Sequence, residues 1–397
     1  MDRQRTLAWD FALEGLEGVV GITAMFAFAV WYFSIMREEG LFDPFIVRIV
    51  GGIIRRPATL TTGTVALTMV THLDGAGATT FLITIPALLP LYDALSVDRK
   101  ILAALAALTA GTMNMVPWGG PVVRGVTAIE PATITNVFNP MIPAHAARIA
   151  SIFGIAVFFS RRVGSDVDHL TGFEGINEDS LVEDAIEGRS AETDWKWWFN
   201  LLLTLAVLGA LITGLTSPEL AFMTGLVIVL IVNVPDYDEQ KEVLESHAPN
   251  VMTYVGILFA AGVLIGVFEE SGMITEMANI MLLVIPDALG ENLPVVIAVL
   301  SLPARLLFSP DAFFFGILPV LVETGATYGH APEGIVRASL VGQTVGFPIS
   351  PFTGATYLLI GLANIELGEH IKFTFPYMVV VSAVIMVVGI AVGAIPF

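Results

Sequence analysis

Long apolar runs separated by short polar segments make up most of the chain. A membrane-spanning helix needs roughly 20 mainly apolar residues, and most of these runs are close to that length. They are too long and too frequent for a soluble domain, so the pattern predicts an all-α polytopic membrane protein. The predicted membrane helices are 15–36, 139–160, 195–213, 217–234, 251–268 and 373–396.

Four further apolar stretches are interrupted by glycine, proline and polar residues. Irregular backbone at membrane depth is tolerated only where it is buried in protein or lines a polar cavity. We therefore expect two re-entrant hairpins with polar tips and two broken helices instead of four plain spans. The stretches are 59–92, broken at 73–78; 98–130, broken at 117–121; 293–325, broken at 309–311; and 333–363, broken at 346–351.

The interruptions recur in the same order in the two halves of the chain. We predict a first repeat at 15–160 and a second at 195–397, each with a helix, a surface helix, a hairpin, a broken helix and a closing helix. Interrupted helices in corresponding places of two repeats point to the binding site of a transporter. The matching positions are 229 to 236 residues apart: Gly40 and Gly272, Pro90 and Pro319, Pro117 and Pro348, and Ala128 and Asn364.

Charge predicts that the two repeats have inverted topology. The surface helix 41–56 carries Arg48, Arg55 and Arg56, whereas its counterpart 273–285 has no lysine or arginine. Basic residues favour the cytoplasmic side, so the first surface helix is expected inside and the second outside. Counting membrane crossings from the first surface helix makes the segment between the repeats a cytoplasmic linker and places the C-terminus outside.

Two predicted spans, 195–213 and 217–234, precede the first helix of the second repeat, and nothing corresponds to them before residue 15. The same topology leaves Arg3 and Arg5 outside, against the charge rule. We therefore expect that a full-length relative has an additional N-terminal helix pair.

Composition narrows the function classes. The chain is 55% hydrophobic, has no cysteine and carries a net charge of −19, so it offers neither a thiol site nor a basic nucleic-acid face. Residues 165–194 contain ten acidic residues and one arginine. We assign residues 161–194 to an acidic, solvated linker, in preference to reading the acidity as adaptation to a salt-rich habitat.

Charged residues at membrane depth are the main candidates for chemistry. Asp74 and Asp311 occupy the two hairpin tips, where a carboxylate is costly unless it is paired or hydrated. A carboxyl group at a hairpin tip that takes up a proton and releases it again would suit a protein that transports protons. The alternative is a helix cap at the membrane surface. Arg124 and Arg305 are the intramembrane cations, suited either to clamp a carboxylate or to reach the interface or pair with an acid.

Polar groups around the breaks complete the candidate site. Glycines after Asp74 allow a close turn, and the half-helix that follows offers free N–H groups to an anion. The threonines there either contact a ligand or satisfy helix carbonyls. Asn114 and the PWGGP break offer an amide and free carbonyls, unless the break is a simple proline kink.

Four motifs, together with a short segment after the last of them, carry a family resemblance. They are LDGAGATTFLITIPALLPLY at 73–92, NMVPWGGPVVR at 114–124, SPDAFFFGILPVL at 309–321 and RASLVGQTVGFPISPFTGATYLLIGLA at 337–363, followed by GEHIKFT at 368–374. In these motifs the chain resembles the citrate–divalent-metal:proton symporters (CitMHS) of the ion transporter superfamily. The resemblance runs from about residue 40 to residue 375.

The resemblance implies a bacterial or archaeal inner-membrane carrier that imports citrate complexed with Mg²⁺ or Ca²⁺ and is driven by protons. It implies no permanently bound cofactor, a homodimer, and a transport domain that moves against a scaffold in an elevator-like manner. The ligand would lie between the two tips and the two broken helices. The expected substrate-binding residues are Asp74, Gly75, Gly77, Thr79, Thr80, Asn114, Gly119, Gly120, Ser309, Asp311, Thr353 and Thr356, with Asp74 and Asp311 as proton carriers and Arg124 and Arg305 as a carboxylate clamp.

One position departs from the family pattern. Members commonly read D-G-D-G at the first tip, whereas this chain has Ala76 in place of the second aspartate. The identity of the transported carboxylate and that of its metal ion therefore stay open. A sodium-coupled di- or tricarboxylate carrier and, from another class, a membrane-embedded enzyme with two catalytic aspartates are the alternatives.

Overall fold

The computed structural model describes residues 2–129, 132–167, 186, 188–189 and 191–397, and no β-strand occurs among them. The α-helices are α1 Asp2–Glu38, α2 Asp43–Arg55, α3 Leu60–Thr71, α4 Gly77–Ala94, α5 Arg99–Met113, α6 Gly120–Thr127, α7 Ile134–Phe138, α8 Ile142–Val167, α9 Trp195–Thr213, α10 Pro218–Asn233, α11 Tyr237–Glu270, α12 Met273–Val284, α13 Asp287–Gly290, α14 Leu293–Leu307, α15 Leu318–Thr327, α16 Pro332–Val345, α17 Gly354–Ala363 and α18 Leu367–Ala391.

All four predicted interruptions are present. Hairpin 1 consists of α3 and α4 joined by tip 1 (72–76), and broken helix 1 consists of α5 and α6 separated by break 1 (114–119). Hairpin 2 consists of α14 and α15 joined by tip 2 (308–311) and the π-helical segment Ala312–Ile317. Broken helix 2 consists of α16 and α17 separated by break 2 (346–353).

Within the described residues, six helices are long and apolar enough to cross a membrane, and this confirms a multi-pass membrane protein. Four of them contain or match predicted spans, the fifth, α18, overlaps the predicted span 373–396, and the sixth is α4, the second arm of hairpin 1. The predicted span 217–234 forms α10, which has only 16 residues. The last helix ends at Ala391, short of the predicted residue 396.

The elements follow the same order in the two halves: a long helix, a short helix, a hairpin, a broken helix and a closing helix. The short helices α2 and α12 lie where surface helices were predicted. The inverted orientation of the two repeats stays a prediction. Most of the predicted linker 161–194 lies outside the described residues, but at its end Arg189 donates to Asp43 at the start of α2 (2.8 Å).

The long helices α1 and α11 pack closely along much of their length. A Cβ atom at Gly15 would collide with the backbone of Gly262 and Gly266, so the two helices touch backbone to backbone at these glycines. Such close packing of small residues joins α1 and α11 into a rigid pair beside the hairpins and broken helices.

The two broken helices cross immediately before their breaks. A Cβ at Gly111 would lie 2.5 Å from the carbonyl oxygen of Val345. Broken helix 2 also lies close to hairpin 2. The Gly342 N–H of broken helix 2 donates to Ser301 Oγ of hairpin 2 (2.8 Å). Gly111 therefore sets how closely the two broken helices approach each other at their breaks.

We expect Gly111→Ala to destabilise the protein, because the added methyl group meets the backbone of Val345. Overpacking of a tight contact costs about 1–3 kcal/mol. A lower melting temperature in detergent would show this. The control is Gly154→Ala on α8, where a Cβ has nothing within 4 Å; this variant should melt at the wild-type temperature or slightly above it. Equal melting of the two variants would contradict the proposed close crossing.

Candidate functional site

The two tips and the two breaks surround a cavity of about 390 Å³, here named the main cavity. Its size is in the range of sites for small molecules. Interrupted segments far apart in sequence therefore meet at one place. The predicted residues that line it are Gly75, Gly77, Asn114, Gly120, Arg124, Arg305, Ser309, Asp311 and Thr353.

Three helices begin at the main cavity. Helices α4, α6 and α17 start at Gly77, Gly120 and Gly354, and all three glycines line the cavity. In the described part of the chain, none of these three N-termini has a side-chain cap. The first N–H groups of a helix have no partner within the helix and carry a partial positive charge. The cavity is therefore suited to bind an anion.

Two arginines and one aspartate supply the charge of the main cavity. Arg124 Nε and Asp311 Oδ1 form an ion pair at 2.8 Å. Arg305 is only 3% exposed and donates from Nη2 to Thr353 Oγ1 (2.9 Å). Its Nε and Nη1 have no hydrogen-bond partner among the described residues. The lining side chains thus give the cavity a net positive charge, and Arg305 keeps two unpaired N–H-bearing nitrogens that are buried from solvent.

Asp74 does not line the main cavity. It lines a neighbouring cavity of about 170 Å³, the second cavity, together with Thr79, Arg37 and His247. Its Oδ1 also accepts the Ala76 N–H (2.8 Å), so it acts as a local cap of tip 1. The structure separates the two candidate proton carriers: Asp311 lines one cavity and Asp74 the other.

Three predicted ligand contacts line neither cavity. Thr80 and Thr356 are fully buried, and their hydroxyls donate to the Ala76 and Phe347 carbonyls (2.9 and 3.0 Å). Gly119 packs against the backbone of Asn114. Their expected ligand contact stays a prediction, and in the structure each one closes the backbone of a tip or a break.

Aromatic residues hold tip 1 in place. Trp118 of break 1 donates its indole N–H to the Leu73 carbonyl (2.9 Å). Phe347 of break 2 stacks against His72 with ring centroids 5.9 Å apart, and a Cβ at Gly77 would lie 2.9 Å from its ring. Both aromatics are visible in the sequence of the breaks, but their contacts with tip 1 are long-range and were not predicted.

The rigid pair of α1 and α11 supplies a wall for both cavities. Phe26 on α1 and Tyr254 on α11 line both cavities, and their rings are in edge contact with centroids 4.8 Å apart. Sequence reasoning missed these residues, because one aromatic among many in an apolar helix carries no distinguishing signal. The main cavity therefore lies between the rigid pair and the hairpins and broken helices.

Arg148 on α8 is a further buried cation that was missed. It is fully buried; its Nη1 donates to Thr344 Oγ1 (2.7 Å), and its Nε and Nη2 have no partner among the described residues. Thr344 lies in the last turn of α16, and Met115, whose sulfur is 3.6 Å from Nη1, follows the end of α5. Helix C-termini favour a positive charge.

The prediction that Arg124 and Arg305 are the intramembrane cations is therefore wrong, since Arg148 is another. The signal was present in the sequence, because an arginine inside the predicted span 139–160 is a functional candidate by default. Within the described residues, no group of three or more His, Cys, Asp or Glu side chains is placed to hold a metal ion.

Comparison with known proteins agrees with this arrangement. A family model described as citrate transporter (CitMHS) matches residues 5–342. The chain belongs to this family. A citrate transporter of Bacillus subtilis (strain 168) is 37% identical over 388 residues, which cover 98% of this chain and 89% of the relative. A Mg²⁺/citrate complex secondary transporter of the same strain is 35% identical, covering 97% of this chain and 88% of the relative.

The fold has a counterpart among solved structures. The YdaH transporter of Alcanivorax borkumensis aligns with a TM-score of 0.63 at 16% identity, over 98% of this chain and 88% of that one. The likeness is one of fold. Family and relatives are transporters, so the alternative of a membrane-embedded aspartyl enzyme is set aside.

We expect Arg148→Met to keep or raise the melting temperature, because it removes a buried cation that has no acidic partner among the described residues. We also expect citrate uptake in liposomes to fall, because the ends of α5 and α16 beside the breaks lose their positive charge. The control is Arg337→Met, since Arg337 lies outside both cavities and donates to the Asn136 carbonyl (2.9 Å). Wild-type uptake, or a large drop in melting temperature, would show that Arg148 has only a structural role.

Proposed function

We propose that this protein is a secondary transporter that imports citrate, or a similar carboxylate, as a complex with a divalent metal ion, coupled to protons. The observation that carries the proposal is the main cavity, where three uncapped helix N-termini and two arginines meet between two hairpin tips. The names of the relatives, a citrate transporter and a Mg²⁺/citrate complex secondary transporter, support the choice of substrate.

The charge of the cavity fits a metal complex better than free citrate. Arg124 and Arg305 against Asp311 leave one net positive charge. Fully ionised citrate carries three negative charges, and its complex with Mg²⁺ carries one. While Asp311 is ionised, the complex therefore neutralises the site, whereas free citrate would leave two uncompensated negative charges at membrane depth, where charge is costly.

Each part of the substrate has a matching group. Carboxylates of citrate would accept the unpaired N–H groups of Arg305 and those of the three helix starts. Mg²⁺ and Ca²⁺ prefer oxygen ligands, and Mg²⁺ usually keeps several waters. Waters would complete the coordination of the metal, because Asp311 is held either by its ion pair with Arg124 or by a proton. The metal enters as part of the substrate, and no resident cofactor is needed.

Asp311 also offers a route for proton coupling. Its ion pair occupies Arg124 while it is ionised. Protonation would break that pair, release Arg124 for a substrate carboxylate and raise the positive charge of the main cavity by one. Proton and anion binding then favour each other, and this mutual preference is what symport requires. Asp74, beside Arg37 in the second cavity, is the other proton carrier in this proposal.

Movement would occur between the two parts of the fold that meet at the cavities. The α1–α11 pair forms one wall and the tips and breaks form the other. In an elevator-like cycle the hairpins and broken helices would slide along the pair with their ligand. A homodimer in the inner membrane, joined through the scaffold side, completes the proposal.

The first experiment measures labelled citrate uptake by the purified protein in liposomes. We expect uptake only with Mg²⁺ or Ca²⁺ present and with an inward proton gradient. Uptake that follows a sodium gradient and ignores pH would select the sodium-coupled alternative. Absence of citrate uptake by folded protein would reject citrate and lead to a panel of other carboxylates.

We expect Asp311→Asn to lose proton-driven accumulation while it keeps citrate exchange across the membrane, because Arg124 is then permanently free to bind the anion. Accumulation under a pH gradient and counterflow at equal pH measure the two properties separately. Asp93→Asn is the matched control, since Asp93 also pairs with an arginine, Arg99 (2.7 Å), but lies outside both cavities. Unchanged accumulation in the Asp311 variant would remove Asp311 from the coupling mechanism.

A further inference from the structure

A large open groove lies on a different part of the molecule from the two cavities. Its volume is about 880 Å³, and it is formed by the short helix α2, the first arm of hairpin 1 and the closing helix α8. Within the described part of the chain, its lining residues include Arg48, Arg55 and Arg56 and no acidic residue. We name it the arginine groove.

The three arginines share one face of α2 and its end. Positions 48, 52 and 55 are three, four or seven residues apart, which places them on the same side of the helix, and Arg56 follows its last residue. The opposite face buries Ile46, among other residues. The three arginine side chains are exposed, and none has an ion-pair or side-chain hydrogen-bond partner among the described residues. Among the residues that the structure describes, the groove therefore has a positive rim without a counter-charge.

The floor of the groove is apolar, and it has room. Ile49 and Ile53 of α2, Ala66 of hairpin 1 and Phe153 of α8 line it. At the rim, a Cβ added at Gly52 would meet nothing within 4 Å. A positive rim over an apolar floor matches a molecule with an anionic head and hydrocarbon chains.

We propose that the arginine groove binds an anionic phospholipid, with its phosphate on the three arginines and its acyl chains against Ile49, Ile53 and Phe153. Arginine N–H groups pair well with phosphate oxygens, and basic residues near a membrane surface attract anionic lipids. Helix α12, which corresponds to α2 in the second half of the chain, has no lysine or arginine. The proposed site is therefore specific to α2. A bound lipid would join the short helix α2 to hairpin 1, whose tip lines the main cavity.

Native mass spectrometry of the full chain in detergent tests the site, with phosphatidylglycerol, phosphatidylcholine and glycerol phosphate as probes. We expect retention of phosphatidylglycerol alone. For a triple variant Arg48→Gln, Arg55→Gln, Arg56→Gln we expect affinity at least about tenfold lower, since each basic residue contributes several-fold. The matched control neutralises three basic residues outside the groove: Arg99→Gln, Lys100→Gln and Arg337→Gln. Equal binding of both lipids, or equal loss in the control triple, would overturn the proposal.

A second variant separates the groove from general surface charge. Gly52→Leu adds a side chain in open space on an exposed helix position, so the protein should fold, and it leaves all three arginines in place. We expect it to reduce phosphatidylglycerol binding by filling the space between them. Binding at wild-type strength would mean that the arginines attract lipid without a built site. Tight binding of glycerol phosphate would show a free-phosphate site instead of a lipid site.

Discussion

Backbone groups that cannot be left unpaired inside a membrane determine how this chain is organised. Two hairpins and two broken helices interrupt apolar stretches of the chain, and each interruption exposes N–H and C=O groups that lipid could not satisfy. The fold solves this by bringing all four interruptions together, so that protein or a polar cavity surrounds them. The main cavity follows from that constraint, and its chemistry follows from which helix ends face it.

The two kinds of helix end are treated differently. The uncapped N-termini of α4, α6 and α17 are directed to the main cavity, where an anion would complete them. On the C-terminal side, buried basic groups of the closing helices approach the breaks. Arg148 of α8 bonds Thr344, and His370 of α18 donates to the Pro348 carbonyl (3.1 Å). The protein thus supplies hydrogen-bond donors near the C-terminal, partially negative side of the breaks. It leaves the partially positive N-termini of the helices for its ligand.

Local sequence signals were sufficient for much of this picture. Glycine, proline and a charged residue in an apolar run mark an interruption, and all four interruptions were located within a few residues. Most residues predicted to face the ligand do line the main cavity. What the sequence could not supply are contacts between distant segments: the bond from Trp118 to Leu73, the wall formed by Phe26 and Tyr254, and the separation of Asp74 from Asp311. Each depends on how helices pack, which no single segment encodes.

That separation also changes the meaning of Ala76. From the sequence alone, an alanine in place of a second aspartate at tip 1 left the identity of the substrate undecided. In the structure, position 76 lines the second cavity beside Asp74 and Arg37 and does not line the main cavity. An aspartate there would add a negative charge next to Asp74, while Arg124, Arg305 and Asp311 would keep the charge of the main cavity unchanged. The replacement therefore bears on the electrostatics of Asp74, and through them on the proton coupling proposed for Asp74, more directly than on which anion the main cavity accepts.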